Sequence, residues 1–325
     1  MASLTLLAAC SAALERPRSD WLSSVGRDHP LVGVIWDISA RRPLARETLV
    51  ERLLTSEFVL LGDKHDNADH HRLQAEIVEA LGARGRRPAV AFEPFTVDRG
   101  TALASALESP SITPQLLIEA VAPDRPGWDW DLYAPVLAAA LRARLPIVAA
   151  DLDPAEVRVI YAKGLGGLDT AMVDRLALTE PRLNPQARQQ LADEIRRDHC
   201  GHAPEAMLDR MVDLQRARDA QLGRALVDAV AAGAEGAILI AGGGHVRRDL
   251  AVPLDLERWA PGATIASLAF IEVFSDGPTS SDALAAQFDG RVPFDYVWFT
   301  PRVDTTDPCE QFRAPLERLH TKRPP

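Results

Sequence analysis

The chain is poor in the residues that most often hold cofactors or staple a fold. Its 325 residues include three cysteines, three tyrosines and four methionines, and aromatics make up only 6%. Three thiols exclude a cysteine-rich disulfide scaffold and a four-cysteine zinc site. Cys200 and Cys309 could pair in an oxidising compartment, although spacing alone does not establish it. Positive charge is also short: 36 Lys and Arg stand against 46 Asp and Glu, giving a net charge of −10. A nucleic-acid partner would require a concentrated basic surface. The small clusters at Arg84, Arg86 and Arg87 and at Lys322 and Arg323 read as solvated faces. No apolar stretch reaches the roughly 18 residues of a membrane-spanning helix, and no solenoid-type repeat is present.

Apolar residues, in contrast, make up 47% of the chain, enough to bury the core of one large α/β domain. They come in short runs without polar alternation, as in strands covered on both faces of a parallel sheet. Phe58-Val59-Leu60-Leu61 leads into Gly62-Asp63-Lys64-His65, and Ala237-Ile238-Leu239-Ile240 leads, after Ala241, into Gly242-Gly243-Gly244-His245. Three further runs end on acids: Pro88–Phe92 on Glu93, Pro146–Ala150 on Asp151, and Ile265–Ile271 on Glu272. The pattern predicts an α/β fold, a mainly parallel sheet flanked by helices, with an inserted helical subdomain.

The organisation expected along the chain is a lipoprotein-type signal or tether over 1–20, a first half of the α/β core over 30–152, a helical insertion over 153–232, the second half over 233–300 and a poorly constrained tail from 301. Pro30–Asp37 reads as a strand broken by Arg42-Pro43, and Arg46–Leu54 as a short helix. Asp66 and Asn67 are good N-cap types for a helix carrying Leu73, Ile77, Val78 and Leu81, with His70 facing inward and His71 near the edge of that face. Leu7-Ala8-Ala9-Cys10 resembles a lipobox in which Cys10 would be lipidated, anchoring the protein in the cell envelope. The segment before it lacks Lys and Arg and is short for a signal, so the alternative is an incidental cysteine at the terminus of a cytoplasmic protein.

In an open parallel sheet the crevice lies beyond the carboxyl ends of the strands, where distant residues meet. His65, Glu93 and His245 are therefore candidate metal ligands, a mixed nitrogen and oxygen set suited to Zn, Mn or Fe. Asp63 is a candidate general base or further ligand. Within Pro204–Ala232 the apolar stripe of Leu208, Met211, Leu222, Leu226 and Ala229 is interrupted by Gln215 and Arg218. Arg218 must meet a carboxylate or an anion there, since an unpaired buried guanidinium is costly. It could pair with Asp219 or another acid, or stabilise negative charge developing in a reaction. The Gly242-Gly243-Gly244 turn could approach phosphate, but Arg247 stands where a dinucleotide fingerprint needs its third glycine. His199-Cys200-Gly201-His202 has no second ligand pair nearby and reads as a capped loop. Tyr133, after Trp128-Asp129-Trp130-Asp131-Leu132, could ligate ferric haem beside tryptophans that flank a porphyrin, or could simply pack a helix start on the core.

Taken in order, Leu61–Asn67, His70–Gln74, Phe92-Glu93, Gly127–Trp130, Gln215–Asp219 and Ala241–Arg247 resemble the ChaN family, which belongs with the Tiki and erythromycin-esterase-like proteins. The resemblance runs from about Gly33 to Pro253. It implies a haem-binding surface lipoprotein of iron acquisition, with haem held at a homodimer contact. Tyr133, His70 and His71 are then the cofactor-binding candidates, the two histidines standing equally as cap partners. In the wider superfamily the Gly-x-x-His and Glu positions serve metal-dependent hydrolysis, which maps onto His65, Glu93 and His245 with Asp63 and Arg218 in catalytic roles. Asp63 departs from the family, which commonly has the longer Glu there.

Overall fold

A computed structural model of the chain describes residues 20–122, 128–274, 284–288, 290–307 and 309–310. The expected lipidation site at Cys10, and Gly127 of the aromatic motif, lie outside the described residues. The first half contains β1 (Ile35–Asp37), β2 (Arg42–Leu44), α1 (Arg46–Leu54), β3 (Phe58–Asp63), α2 (Ala68–Ala83), β4 (Ala89–Thr96), α3 (Gly100–Leu107), α4 (Pro114–Val121), α5 (Trp130–Arg142) and β5 (Ile147–Asp151). A run of helices follows, α6 (Pro154–Lys163), α7 (Thr170–Arg175), α8 (Pro185–Asp198) and α9 (Glu205–Ala231). The chain then returns to the sheet with β6 (Ala237–Gly242), α10 (Val252–Trp259), β7 (Ile265–Glu272) and β8 (Tyr296–Thr300).

One eight-stranded sheet has the order β2-β1-β8-β7-β3-β6-β4-β5. From β8 to β5 all neighbours are parallel, and only β1 is reversed, antiparallel to both β8 and β2. The continuous apolar runs occupy its centre: every residue of β3, β4 and β6 is buried, as double coverage by helices requires. The predicted α/β sheet with a helical insertion is the observed architecture. β3 and β6, which bear the two Gly-x-x-His elements, are adjacent, with Gly62 opposite Ala241 and Asp63 opposite Gly242. That register brings both motifs to the carboxyl end of the same two central strands.

Two expectations at the ends of the fold need correction. Only Ile35–Asp37 of the strand expected from Pro30 forms, because His29–Val34 are held in successive turns, Val32 N–H to His29 C=O and Val34 N–H to Leu31 C=O. Arg42-Pro43, read as a break, is the outermost strand β2. Pro43 is tolerated there because an edge strand has a side that needs no N–H donor. The tail is better constrained than expected up to residue 303. Val25 and Arg302 form a bridge, and the Val303 N–H donates to Glu272. Cys200 and Cys309 form a disulfide, which ties the tail to the end of α8.

Besides the main core, α6 to α9 build two satellite clusters, one around Leu152, Ile160 and Leu176 and one around Leu191, Ile195 and Val212. Helix α9 is the link, since its buried positions reach both satellites and the main core through Leu222 and Leu226.

Candidate functional site

The site grows from how β3 and β6 end. At Gly62 a Cβ would fall 2.3 Å from Val246 Cγ2, so only glycine lets β3 approach the turn after β6. Gly242 serves the partner strand in the same way, because a Cβ there would lie 2.9 Å from His65 Cε1 and 3.0 Å from Nε2. The imidazole of His65 thus lies against bare backbone. Asn67 caps α2, accepting from the Asp69 and His70 N–H groups, which fixes the turn that carries His65.

His65 is half-exposed and held on three sides. Its Nδ1 lies 2.7 Å from Asp63 Oδ1 and 3.2 Å from the Tyr133 hydroxyl, and its ring meets Trp128 edge-on at 4.7 Å. Its Nε2 faces the crevice, 3.9 Å from Glu93 Oε2. Burial opposes the imidazolium, but the Asp63 hydrogen bond and the Glu93 charge outweigh it and raise the pKa. Asp63 has its other oxygen taken by Gln74 Nε2 at 2.8 Å. It therefore orients His65, and in this conformation is neither an open ligand nor a free base.

Glu93 is the hub. It sits where β4 passes through an irregularity in its register with β5, and a bulge of this kind re-aims a side chain. Its Oε1 lies 2.6 Å from Arg218 Nη2 and 3.4 Å from His245 Nε2, and its Oε2 accepts from the Gly242 N–H at 2.7 Å. Burial would push this carboxyl up, but the charges of His245 and Arg218 hold it well below the usual range. His245 Nδ1 is 2.6 Å from Asp219 Oδ1. Burial again opposes the charged ring, and Glu93 and Asp219 overcome it, so its pKa is pushed up to about 10. Arg218 closes the set by gripping both oxygens of Asp151, at 2.7 Å from Nη2 to Oδ2 and 3.1 Å from Nε to Oδ1.

His65, Glu93, His245, Asp63 and Arg218 therefore converge at one cleft of about 330 Å³, whose far wall is the α8 face bearing Glu194 and Asp198. Asp219 was one of the acids sequence reasoning offered to Arg218, whereas the structure pairs Arg218 with Glu93 and Asp151 and gives Asp219 to His245. Neighbouring residues on a helix point about 100° apart, so Arg218 looks toward β4 and β5 while Asp219 looks toward the turn after β6. That helical offset was the available signal. Glu194 and Asp198 went unnoticed because nothing in the α8 sequence distinguishes an acid facing a cleft from one facing solvent.

The metal expectation meets an obstacle. Among the described residues no group of three or more His, Cys, Asp or Glu is arranged to hold a metal ion. Glu93 Oε1 is held by Arg218 and its Oε2 by the Gly242 N–H, so this carboxylate is committed, whereas His65 and His245 each set Nδ1 on an aspartate and leave Nε2 toward Glu93. With Glu93 engaged in this way, the three candidates do not form an open ligand set in this structure.

The cofactor candidates lie in the core. Tyr133 is 2% exposed, and burial together with the Asp63 and Glu93 charges raises its phenol above the usual range. Its hydroxyl lies against His65 Nδ1 at 3.2 Å. His70 and His71 are fully buried, His71 no longer at the edge of its helix face. His70 Nδ1 accepts from the Lys64 N–H at 2.9 Å and Nε2 pairs with Thr300 Oγ1 at 2.8 Å. His71 Nε2 donates to the His65 carbonyl at 2.9 Å, and Nδ1 is 3.1 Å from Gln74 Oε1. Both rings stand as braces behind His65. What does reach the surface is the aromatic segment: Trp128, Asp129, Trp130 and Asp131 line an open recess beside His65. None of the three cofactor candidates lines that recess.

Residues 49–256 match the family described as haem-binding uptake, Tiki superfamily, ChaN. Among solved structures, the chain is similar to ChaN of Campylobacter jejuni, described with cofacial haem binding, at 20% identity and a TM-score of 0.64, covering 81% of this chain and 95% of that one. A looser likeness extends to the type III effector HopBA1, at 17% identity and a TM-score of 0.43 over 78% of this chain and 92% of that one. An erythromycin esterase in its open conformation gives 14% identity and a TM-score of 0.40, over 75% and 78%. No curated protein matches the chain significantly by sequence.

Proposed function

Because the chain belongs to the haem-binding uptake family ChaN of the Tiki superfamily, we propose that it binds haem for iron acquisition at the cell envelope. The family match across the sheet and the helical insertion carries this reading. The recess of Trp128 and Trp130 supports it, since aromatic faces suit a flat apolar macrocycle. The ChaN structure from Campylobacter jejuni is described with cofacial haem, and two copies of this chain meeting through their recesses would enclose a cofacial pair, which makes a homodimer the expected binding state. Lipidation at Cys10 would hold the protein on a membrane. No helix among the described residues is long and apolar enough to cross one.

Haem titration tests the reading. Addition of haem to the purified protein produces a shifted Soret band. Trp128→Ala with Trp130→Ala weakens binding, whereas Tyr133→Phe, deep in the core, leaves the spectrum unchanged. If haem retains the spectrum of the free molecule, the proposal fails.

The cleft favours a second reading, hydrolysis without a resident metal. The observation behind it is His65 itself, its Nδ1 fixed by Asp63 and its Nε2 turned toward the cleft. This is the arrangement of a general base oriented by a carboxylate, able to take a proton from water through Nε2. His245 and Arg218 place positive charge on the opposite side. Ester turnover that survives chelation and disappears in His65→Asn would support it, and turnover unchanged in that variant would dismiss it.

A further inference from the structure

Behind His245, away from the cleft, a small polar chamber separates α9 from α10. It is lined by Arg182, Arg216, Asp219, Asp255 and apolar residues that include Leu250 and Leu254, and its space of about 10 Å³ admits the centre of one water molecule. Five of the atoms around it have no hydrogen-bond partner among the described residues: Asp219 Oδ2, Asp255 Oδ1, Arg182 Nε and Nη2, and Arg216 Nε. Arg182 Nη2 approaches Asp255 Oδ1 to 2.7 Å, close enough for charge pairing but not aligned as a hydrogen bond. Both aspartates are almost fully buried, 2% and 4% exposed.

Such a set is unusual in a folded protein, where nearly every buried polar atom is paired. With Arg182 Nη2 turned to Asp255 Oδ1 at 2.7 Å, the donors Arg182 Nε and Arg216 Nε and the acceptors Asp219 Oδ2 and Asp255 Oδ1 are left for a single water, which accepts two hydrogen bonds and donates two. We propose that this chamber holds one structural water and that Asp255, acting through it on Asp219, is a positioning residue for His245. The water accepts from Arg216 Nε and Arg182 Nε and donates to Asp219 Oδ2 and Asp255 Oδ1. Asp219 is then fixed at both oxygens, one on His245 and one on the water, and cannot rotate away from the imidazole.

The surrounding charges agree with this arrangement. His245 is faced by Glu93 from β4, by Asp219, Arg218 and Gln215 from α9, and by His65 from the turn after β3. Burial pushes the Asp255 carboxyl up to about 7, Arg182 opposes that rise, and Asp219 adds to it. The two aspartates sense each other across the chamber. The inference concerns the positioning of His245 and holds whether haem binding or hydrolysis is the function of the site.

The test is a crystal structure of the wild-type protein at a resolution that defines ordered water, joined to nitrogen and proton NMR of the histidines. The expected result is one water within hydrogen-bond distance of Asp219 Oδ2 and Asp255 Oδ1, and a strongly downfield Nδ1 proton for His245. In Asp255→Leu with Arg182→Met, which removes both charges of the pair together, that proton signal is lost or moves upfield while the fold is retained. A dry chamber in the wild-type crystal overturns the proposal, and so does a His245 signal unaltered in the folded double variant. If the variant fails to fold, the wild-type crystal still decides.

Discussion

Replacing Arg218 with methionine probes the centre of the site most severely. The guanidinium is bound to Glu93 and to both oxygens of Asp151, and the side chains of those two acids are only 2% and 7% exposed. Methionine keeps much of the volume and removes the charge, leaving two buried carboxylates with half their partners gone. Breaking a buried pair in this way costs about 3–5 kcal/mol. Arg218 itself is 23% exposed, so water can partly replace it and the lower end applies. For a chain of this size the corresponding fall in Tm is about 5 °C. The pH dependence gives a second signature. In the wild type the Glu93 carboxyl is held well below its unfolded value, so its contribution is present above the unfolded pKa and is lost as pH falls through the folded one. Without Arg218 the folded pKa rises, and the deficit shrinks on acidification as the orphaned carboxyls take up protons. Urea unfolding followed by circular dichroism between pH 4 and 8 measures both effects. A loss below about 1 kcal/mol at pH 7, the value of an exposed pair, would refute the account of Arg218 as the buried counter-charge of the site.

Other consequences can be checked separately. Gly242→Ala keeps an ordinary backbone, φ −60°, and its cost falls on His65, which must swing outward from the new methyl; the protein stays folded, losing less than about 1.5 kcal/mol, and an NMR contact between His65 and Asp63 that persisted would contradict this. His245 has a folded pKa of about 10, above the ordinary 6.5, so its charge contributes fully below 6.5 and its contribution is lost as pH rises toward 10. Stability measured over that window declines more steeply in the wild type than in His245→Gln, and parallel curves would sink the assignment. Reduction of the Cys200–Cys309 disulfide, which closes a separation of 109 residues, lowers stability by about 2–4 kcal/mol. Amide exchange then rises in α8 and leaves β3 and β6 unchanged.

Much of this arrangement is legible in the chain because burial on both faces leaves a plain trace. Unalternated apolar runs followed by Gly-x-x-His or by an acid are visible without coordinates, and β3, β4, β5, β6 and β7 lie where those runs lie. His65, Glu93, His245 and Arg218 could be named because polar residues at strand ends, or on an apolar helix stripe, conflict with their surroundings. What sequence cannot show is which way a committed side chain turns. Tyr133 and His71 sit beside the site in the chain's pattern, yet the packing of α2 against α5 closes them inside, their rings 4.3 Å apart. Partner choice was hidden for the same reason: Asp219 adjoins Arg218 in sequence, but the helix turn sends it to His245. Edge strands β1 and β2, three residues each, are too short to carry a period.

The most direct measurement is absorbance combined with elemental analysis of the full protein as isolated from cells given iron. The account predicts a Soret band with iron in proportion to porphyrin and no other divalent ion near one equivalent per chain. A colourless protein that retains one zinc or manganese per chain would contradict both the haem reading and the commitment of Glu93 to Arg218.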